Sequence, residues 1–257
     1  MAKIILSDVI STLPLFLGIN EQEKLTLLSV ARIRNLPRGQ ILFLQGDPIM
    51  CFYIVCRGTV QMFRETADGH EVTPDICISG DSLCPSEIID SKPIYKVNAR
   101  AVEDTVLLEV PMQWLKQNLQ NFDHLILKLF TDISQRLQRT TVEVERQTTM
   151  SAPQLISCFL YELCVLYDFD PRGFELPYSK TLIASRLGME LETFSRSLHK
   201  LKEYGIIVQG THVSMFNNHT DKRENLVCSH CSSNGVCTQH NKLEQKMLRK
   251  PLIPDAL

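Results

Sequence analysis

The chain is short of several things. Its 257 residues hold one tryptophan, and neither sign of charge dominates, with 27 Lys and Arg against 29 Asp and Glu for a net charge of -2. Such a balance argues against a histone-like, purely electrostatic nucleic-acid binder, but leaves room for a compact domain with a local basic face. No apolar run approaches the ~18 residues that a membrane helix needs. The opening stretch "MAKIILSDVISTLPLFLG" is broken by Asp8 and has no clean small-residue cleavage site, which argues against a signal peptide. A cytoplasmic location is expected, where nine cysteines read as buried thiols, metal ligands or redox sensors rather than disulfides. A P-loop, a nucleophile–base pair and a paired acidic motif in a supporting context are all missing, so no enzyme is expected.

What is present suffices for one large domain or two ordinary ones, since 44% of the residues are hydrophobic. Residues 7–30 read as one or two short helices, the second starting at Asn20 or Glu21. From 32 to about 110, short alternating strands are punctuated by Gly39, Gly46, Gly58, Gly69 and Gly80. That texture predicts an all-β barrel or double-wound roll, with Asp68-Gly69 turning a hairpin. After Pro111 the pattern becomes helical. "PMQWLKQNLQ" is a short helix with proline in its first turn. "FDHLILKLFTDISQRLQRTTVEVERQ" is a long one without Gly or Pro.

In that long helix Ile126, Phe130, Ile133, Leu137, Thr140 and Val144 step by 4, 3, 4, 3 and 4 residues. This is the a/d seam of a helix that pairs with a copy of itself, so a homodimer is expected. The alternative is a core helix lying on the barrel. "TTMSAP" at 148–153 marks a boundary. Beyond it, Leu155, Ile156, Phe159, Leu160 and Leu163 form the inner face of another helix, and Cys158 and Cys164 read as core. "FELPY" is a short strand.

The block "SKTLIASRLGMELETFSRSLHKLKEYGII", 179–207, is the most informative. Ser179 is a plausible N-cap. Ile183, Leu187 and the small Ala184 form the inner face of a first helix, and Gly188 supplies a tight turn. A second helix starts near Leu191, buries Phe194, Leu198 and Leu201, and ends at Gly205. A small residue, a glycine and a buried apolar residue at these offsets are a helix-turn-helix signal. "IIVQGTHVSM" follows as a two-stranded wing turning at Gly210. The second helix presents Glu192, Ser195, Arg196, His199 and Lys200 outward. Arg196 can donate two hydrogen bonds to a guanine edge, and Glu192 can accept from cytosine. Ser179 and Lys180 join them as candidate DNA contacts. Residues 179–223 carry seven Lys/Arg against four Asp/Glu, a basic excess suited to phosphate.

Barrel, long helix and winged helix-turn-helix, in that order, resemble the CRP/FNR family of bacterial transcription regulators over roughly residues 10–215. The residues that carry the likeness are "LPRGQILFLQGD", "FYIVCRGTVQMF", "ISGD" and the helix-turn-helix block. The resemblance implies an α+β chain with a jelly-roll (double-stranded β-helix) sensor domain at 1–120, of the cyclic-nucleotide-binding type. A dimerisation helix at 121–148 and a winged DNA-binding domain at 149–220 follow, then a cysteine-bearing extension at 221–257. It implies double-stranded DNA as a partner and contact with RNA polymerase. Glu192-x-x-Ser195-Arg196 is similar to the FNR-type recognition helix, whose target is a palindrome of TTGAT half-sites. A family member that binds cyclic nucleotide uses a Gly-Glu pair and then Arg-Ser or Arg-Thr. Here Glu87 is kept, Ser86 stands for the glycine, and Tyr95-Lys96 stands for Arg-Ser, so no cyclic nucleotide is expected.

The signal must come from elsewhere. Cys56 and Cys77 fall in strand runs and read as buried hydrophobes. No cysteine precedes Cys51, so the N-terminal cluster ligands of FNR itself are missing. The segment "CSHCSSNGVCTQH" gathers Cys228, Cys231 and Cys237, with His240 the nearest fourth donor and His230, Glu143 or Glu145 as others. Some members of the family carry an oxygen- or nitric-oxide-labile 4Fe–4S cluster on cysteines that follow the DNA-binding domain, and thiolates are the ligands such clusters need. The same four residues suit tetrahedral Zn. An unligated tail is the third reading, and haem or another small effector in the β-roll, as in some relatives, is a further one.

Overall fold

The computed structural model describes residues 6–90, 93–119, 123–167 and 173–215. The chain divides into two compact units, one running to Thr140 and the other beginning at Thr141. The first opens with α1 (Leu6–Thr12) and α2 (Glu21–Val30). Asn20 caps α2 in a reciprocal box: its side chain accepts from the Glu23 amide at 2.8 Å, and the Glu23 carboxylate accepts from the Asn20 amide at 2.7 Å.

Seven strands follow: β1 (Arg32–Leu36), β2 (Ile41–Phe43), β3 (Cys51–Arg57), β4 (Thr59–Glu65), β5 (Glu71–Ile78), β6 (Asn98–Ala101) and β7 (Thr105–Pro111). They form two antiparallel sheets, β1-β7-β3 and β2-β6-β4-β5, which is the expected roll. Val60, Ala99, Ala101, Ile54, Leu107 and Leu108 belong to one buried core. Gly58 turns β3 into β4 at φ +88°, where a Cβ would sit 2.6 Å from the Thr105 hydroxyl and 2.9 Å from the Asp104 carbonyl. Only glycine fits that approach. At the edge of its sheet, β5 carries Pro74, and its register with β4 shifts between Met62 and Arg64.

Pro111 is the N-cap of α3 (Met112–Asn118), one position earlier than the first turn where the sequence put it. Its φ of -57° suits either place, and the amide proline lacks is not needed there. The long helix α4 runs Asp123–Thr149. Leu125 and Leu129 are buried in the core of the roll, and the Lys128 ammonium donates to the Pro14 carbonyl at 3.0 Å. Two turns on, Arg136 gathers three acceptors. It meets Asp75 of β5 at 3.0 Å, Asp132 at 3.3 Å and the Ser82 carbonyl at 2.7 Å, while the Ser82 hydroxyl donates to Asp132 at 2.6 Å. Other side chains of α4 face outward: Ile126 is 43% exposed, Phe130 70%, Leu137 68% and Val144 54%.

In the second unit, α5 (Ala152–Leu166) packs on α7 (Leu191–Leu201), which also packs on the shorter α6 (Lys180–Arg186). Ile156, Leu160 and Leu163 of α5 are buried, but Leu155, Phe159 and Cys158 are only half-buried. That stripe is narrower than the sequence pattern implied, because α5 meets α7 along a single face. Strands β8 (Phe174–Glu175), β9 (Ile207–Gln209) and β10 (His212–Ser214) form a sheet in the order β8-β10-β9. The wing therefore has three strands rather than two, since "FELPY" pairs with β10.

Arg136→Ala would leave Asp75 and Asp132 facing one another without their shared cation. It is expected to lower unfolding stability by about 3 kcal/mol. The single tryptophan, Trp114, packs against the core of the roll, so its emission during urea unfolding reports on that unit. An unchanged midpoint would mean that solvent screens these pairs.

Candidate nucleic-acid interface

Helix α6 begins at Ser179, whose hydroxyl accepts from the Leu182 amide at 3.2 Å, so this residue is the N-cap the sequence suggested. It ends in a Schellman motif. Gly188 sits at φ +65°, its amide donates to the Ser185 carbonyl at 3.2 Å, and the Met189 amide reaches back to Ala184 at 3.0 Å. The left-handed glycine turns the chain sharply, and α7 starts three residues later. Ile183, Ala184, Phe194, Leu198 and Leu201 are buried between the helices, whereas Leu187 is half-buried. The last turns of α4 are pinned to this unit by two ion pairs, Glu143 with Arg186 of α6 and Arg146 with Glu162 of α5.

Burial of Phe194, Ser197, Leu198 and Leu201 fixes which side of α7 looks outward. Glu192, Ser195, Arg196, His199 and Lys200 are all exposed, at the i, i+3, i+4, i+7, i+8 spacing of one helical face. Arg196 lies 3.8 Å from the Glu192 carboxylate and 3.5 Å from the Thr193 hydroxyl. These weak solvated contacts leave the guanidinium largely exposed on that face. Ser179 is exposed and Lys180 half-exposed at the start of α6.

The thiols of the roll are sequestered. Cys56 and Cys77 are buried, as their strand positions implied. Burial pushes the Cys56 thiol up to about 12 and, with Asp75 nearby, raises that of Cys77 as well. Cys51 is half-buried, donates to Glu109 at 3.4 Å, and is pushed up to about 11 by burial and then by that carboxylate. Cys84 is pushed up to about 12 by burial and Glu87. It has a positive φ of 49°, so the left-handed residue of this turn is Cys84 and not Ser86. Ser86 instead donates to Glu87 at 2.8 Å. Among the described residues, no three of His, Cys, Asp and Glu gather as a metal site. Cys228, Cys231, Cys237, His230 and His240 lie outside the described residues. Glu143, one candidate for a further ligand, is committed to Arg186. No helix among the described residues is long and apolar enough to cross a membrane.

A β-roll, a long helix and a winged helix-turn-helix with a polar outward face define a DNA-binding transcription regulator. The cyclic nucleotide-binding domain family matches residues 33–122, and the Crp-like helix-turn-helix domain matches 156–217. The transcriptional activator protein anr of Pseudomonas aeruginosa is 29% identical over 202 residues, 76% of this chain and 80% of that protein. The fumarate and nitrate reduction regulatory protein of Escherichia coli is 25% identical over 212 residues, 80% of this chain and 83% of that protein. The structure of FixK2 from Bradyrhizobium japonicum shares the fold, with a TM-score of 0.66 at 22% identity over 78% of this chain and 98% of that one. The chain belongs to the CRP/FNR family, and is a regulator rather than an enzyme.

Sequence reasoning missed the two ion pairs that hold the last turns of α4 within the second unit. Their partners lie 43 and 16 residues apart, and no local pattern announces them. It also missed Arg136, although Asp132 four residues earlier on the same helix was a visible signal.

The thiolate is the reactive form of cysteine, so a thiol pushed to about 11 is roughly a hundredfold less reactive at neutral pH than an ordinary one. Iodoacetamide should therefore leave Cys51, Cys56, Cys77 and Cys84 unlabelled in the native protein over a time that alkylates them fully in urea. Peptide mass spectrometry reads each site. Rapid native labelling of Cys56 or Cys77 would contradict their burial.

Proposed function

We propose that this regulator works as a homodimer that reads a palindrome of FNR-box type, with α7 in the major groove, and that a 4Fe–4S cluster on Cys228, Cys231 and Cys237 makes it responsive to oxygen, nitric oxide or redox state. The outward face of α7 carries the DNA half of this reading. Arg196 is the bidentate donor for guanine, Glu192 accepts from cytosine, and Ser195 reaches a base edge or phosphate. His199 and Lys200 continue the face, while Ser179 and Lys180 stand at the start of α6 for further backbone contact.

The exposed seam of Ile126, Phe130, Leu137 and Val144 on α4, with the half-buried Ile133 between them, supports pairing with a second copy. Two winged units would then address half-sites roughly 34 Å apart. Contact with RNA polymerase belongs to the same reading if the protein activates. The 4Fe–4S part rests on the chemistry of the donor set, three thiolates within ten residues. With its ligands bound, such a cluster supplies a gas-sensitive inorganic centre. The protein supplies thiolates and a fourth donor, with His240 the nearest in sequence. Zn on Cys228, Cys231, Cys237 and His240 is the competing occupant, because that set also satisfies tetrahedral coordination. In that case the signal would be another effector.

Arg196→Ala should weaken operator binding by ~1–3 kcal/mol and relax preference at one base pair of each half-site. Binding to a panel of singly substituted operators measures this. Equal loss on every sequence would assign Arg196 to phosphate. For the sensor, protein purified without oxygen should be brown and bleach in air, with about four iron and four sulfide per chain. Cys231→Ser should lose iron and change operator affinity. A colourless protein holding about one zinc would make the tail structural and refute the cluster.

A further inference from the structure

Tyr95 stands at the position where a nucleotide-binding roll of this family would place its phosphate-binding arginine, and the structure gives its side chain another task. The residue lies just ahead of β6. Its ring lies flat against Phe43 of β2, with centroids 3.5 Å apart and planes 4° from parallel. Phe43 stacks in turn on Tyr53 of β3 at 6.4 Å. The Tyr95 hydroxyl donates to the Cys51 carbonyl, also on β3, at 3.2 Å. Because β2 and β6 belong to one sheet and β3 to the other, this one side chain bridges the space between the two layers.

Its backbone is held on both sides. The Tyr95 amide donates to the Asp47 carbonyl at 3.0 Å, and the Gly46 amide donates to the Tyr95 carbonyl at 2.8 Å. The residue is 5% exposed and belongs to the core of the roll. Burial raises its phenol, which stays a neutral donor across the physiological range. The neighbouring cation, Lys96, is exposed and paired with Asp90 at 3.1 Å. A nucleotide entering here would have to expel a stacked ring, break a hydrogen bond inside the core and leave the carbonyl of Cys51 without that donor. It would gain no guanidinium fork for its phosphate.

We propose that Tyr95 is a permanent internal occupant of the β-roll: its phenol fills the space between the sheets, so that the roll takes no exchangeable nucleotide and is complete without one. The family's cyclic nucleotide-binding domain is thereby kept as a scaffold while its ligand is replaced by a side chain of the chain itself. This holds whatever signal the protein senses elsewhere.

The test uses the full-length protein and two kinds of probe. Wild-type protein should show no rise in unfolding temperature and no binding heat with cyclic AMP or cyclic GMP at millimolar concentration. Tyr95→Ala should unfold at a lower temperature, and p-cresol, the excised side chain as a free molecule, should raise that temperature for the variant and not for the wild type. An apolar hole of aromatic size takes such a ligand readily. Tyr95→Phe, which loses only the hydroxyl, should fall between the two. If Tyr95→Ala does not accumulate, Tyr95→Val serves, since it also lacks the ring. Saturable binding of either cyclic nucleotide to the wild type would overturn the proposal. So would a ring-deleted variant as stable as the wild type and indifferent to p-cresol.

Discussion

The guanidinium of Arg136 is the polar node between the long helix and the roll, beside the apolar packing of Leu125 and Leu129 and the Lys128 contact to Pro14. Arg136 faces two carboxylates and a carbonyl from three places in the chain: Asp75 on β5, Asp132 on its own helix, and Ser82 in the turn beyond β5. Placing a cation and two anions at partial burial carries a desolvation cost, which is recovered only when the geometry is good and the remaining donors are used. Here each nitrogen of the fork has an acceptor, and the Ser82 hydroxyl completes the set by donating to Asp132. Apolar packing of Leu125 and Leu129 would let α4 slide or roll on the sheet, because dispersion contacts are not directional. The polar node removes that freedom and sets the helix at one rotation and one height.

Fixing that rotation has consequences for every other face of α4. With Arg136 turned toward β5, the side that carries Phe130, Leu137 and Val144 looks outward. Two turns after Arg136, Glu143 meets Arg186, in the first helix of the helix-turn-helix, and Arg146 meets Glu162. Each stretch of this helix is thus held by charge within its own unit. Between these attachments lie the residues where one compact unit gives way to the next. On α7 the logic is similar at smaller scale. Burial of Phe194 and Leu198 leaves Glu192, Ser195 and Arg196 no choice but to face out.

Much of this was legible in the sequence wherever a feature is local. The start of α2 at Asn20, the glycine that ends α6 and the buried triplet of α7 are all set by residues within one or two turns of each other. Period and punctuation therefore found them. The roll was legible as a class, from glycines between alternating runs, but not the pairing of β1 with β7, which joins residues some seventy positions apart. The third strand of the wing was read as a strand without a partner, because pairing is decided by a turn and a helix pair that intervene. In the candidate site, the outward face of α7 followed from helical spacing alone. The stacking of Tyr95 on Phe43 did not, since a substitution in a ligand motif shows what is lost and not what the new side chain does.

The proline and the register shift in β5 bear on how copies of this protein can meet. That strand is the last in its sheet, and an open strand edge invites another chain to add itself as the next strand. Pro74 has no amide to offer such a visitor, and the bulge twists the ladder where it would have to dock. Pairing of another chain along this edge is therefore disfavoured at Pro74, on the very strand that Arg136 grips.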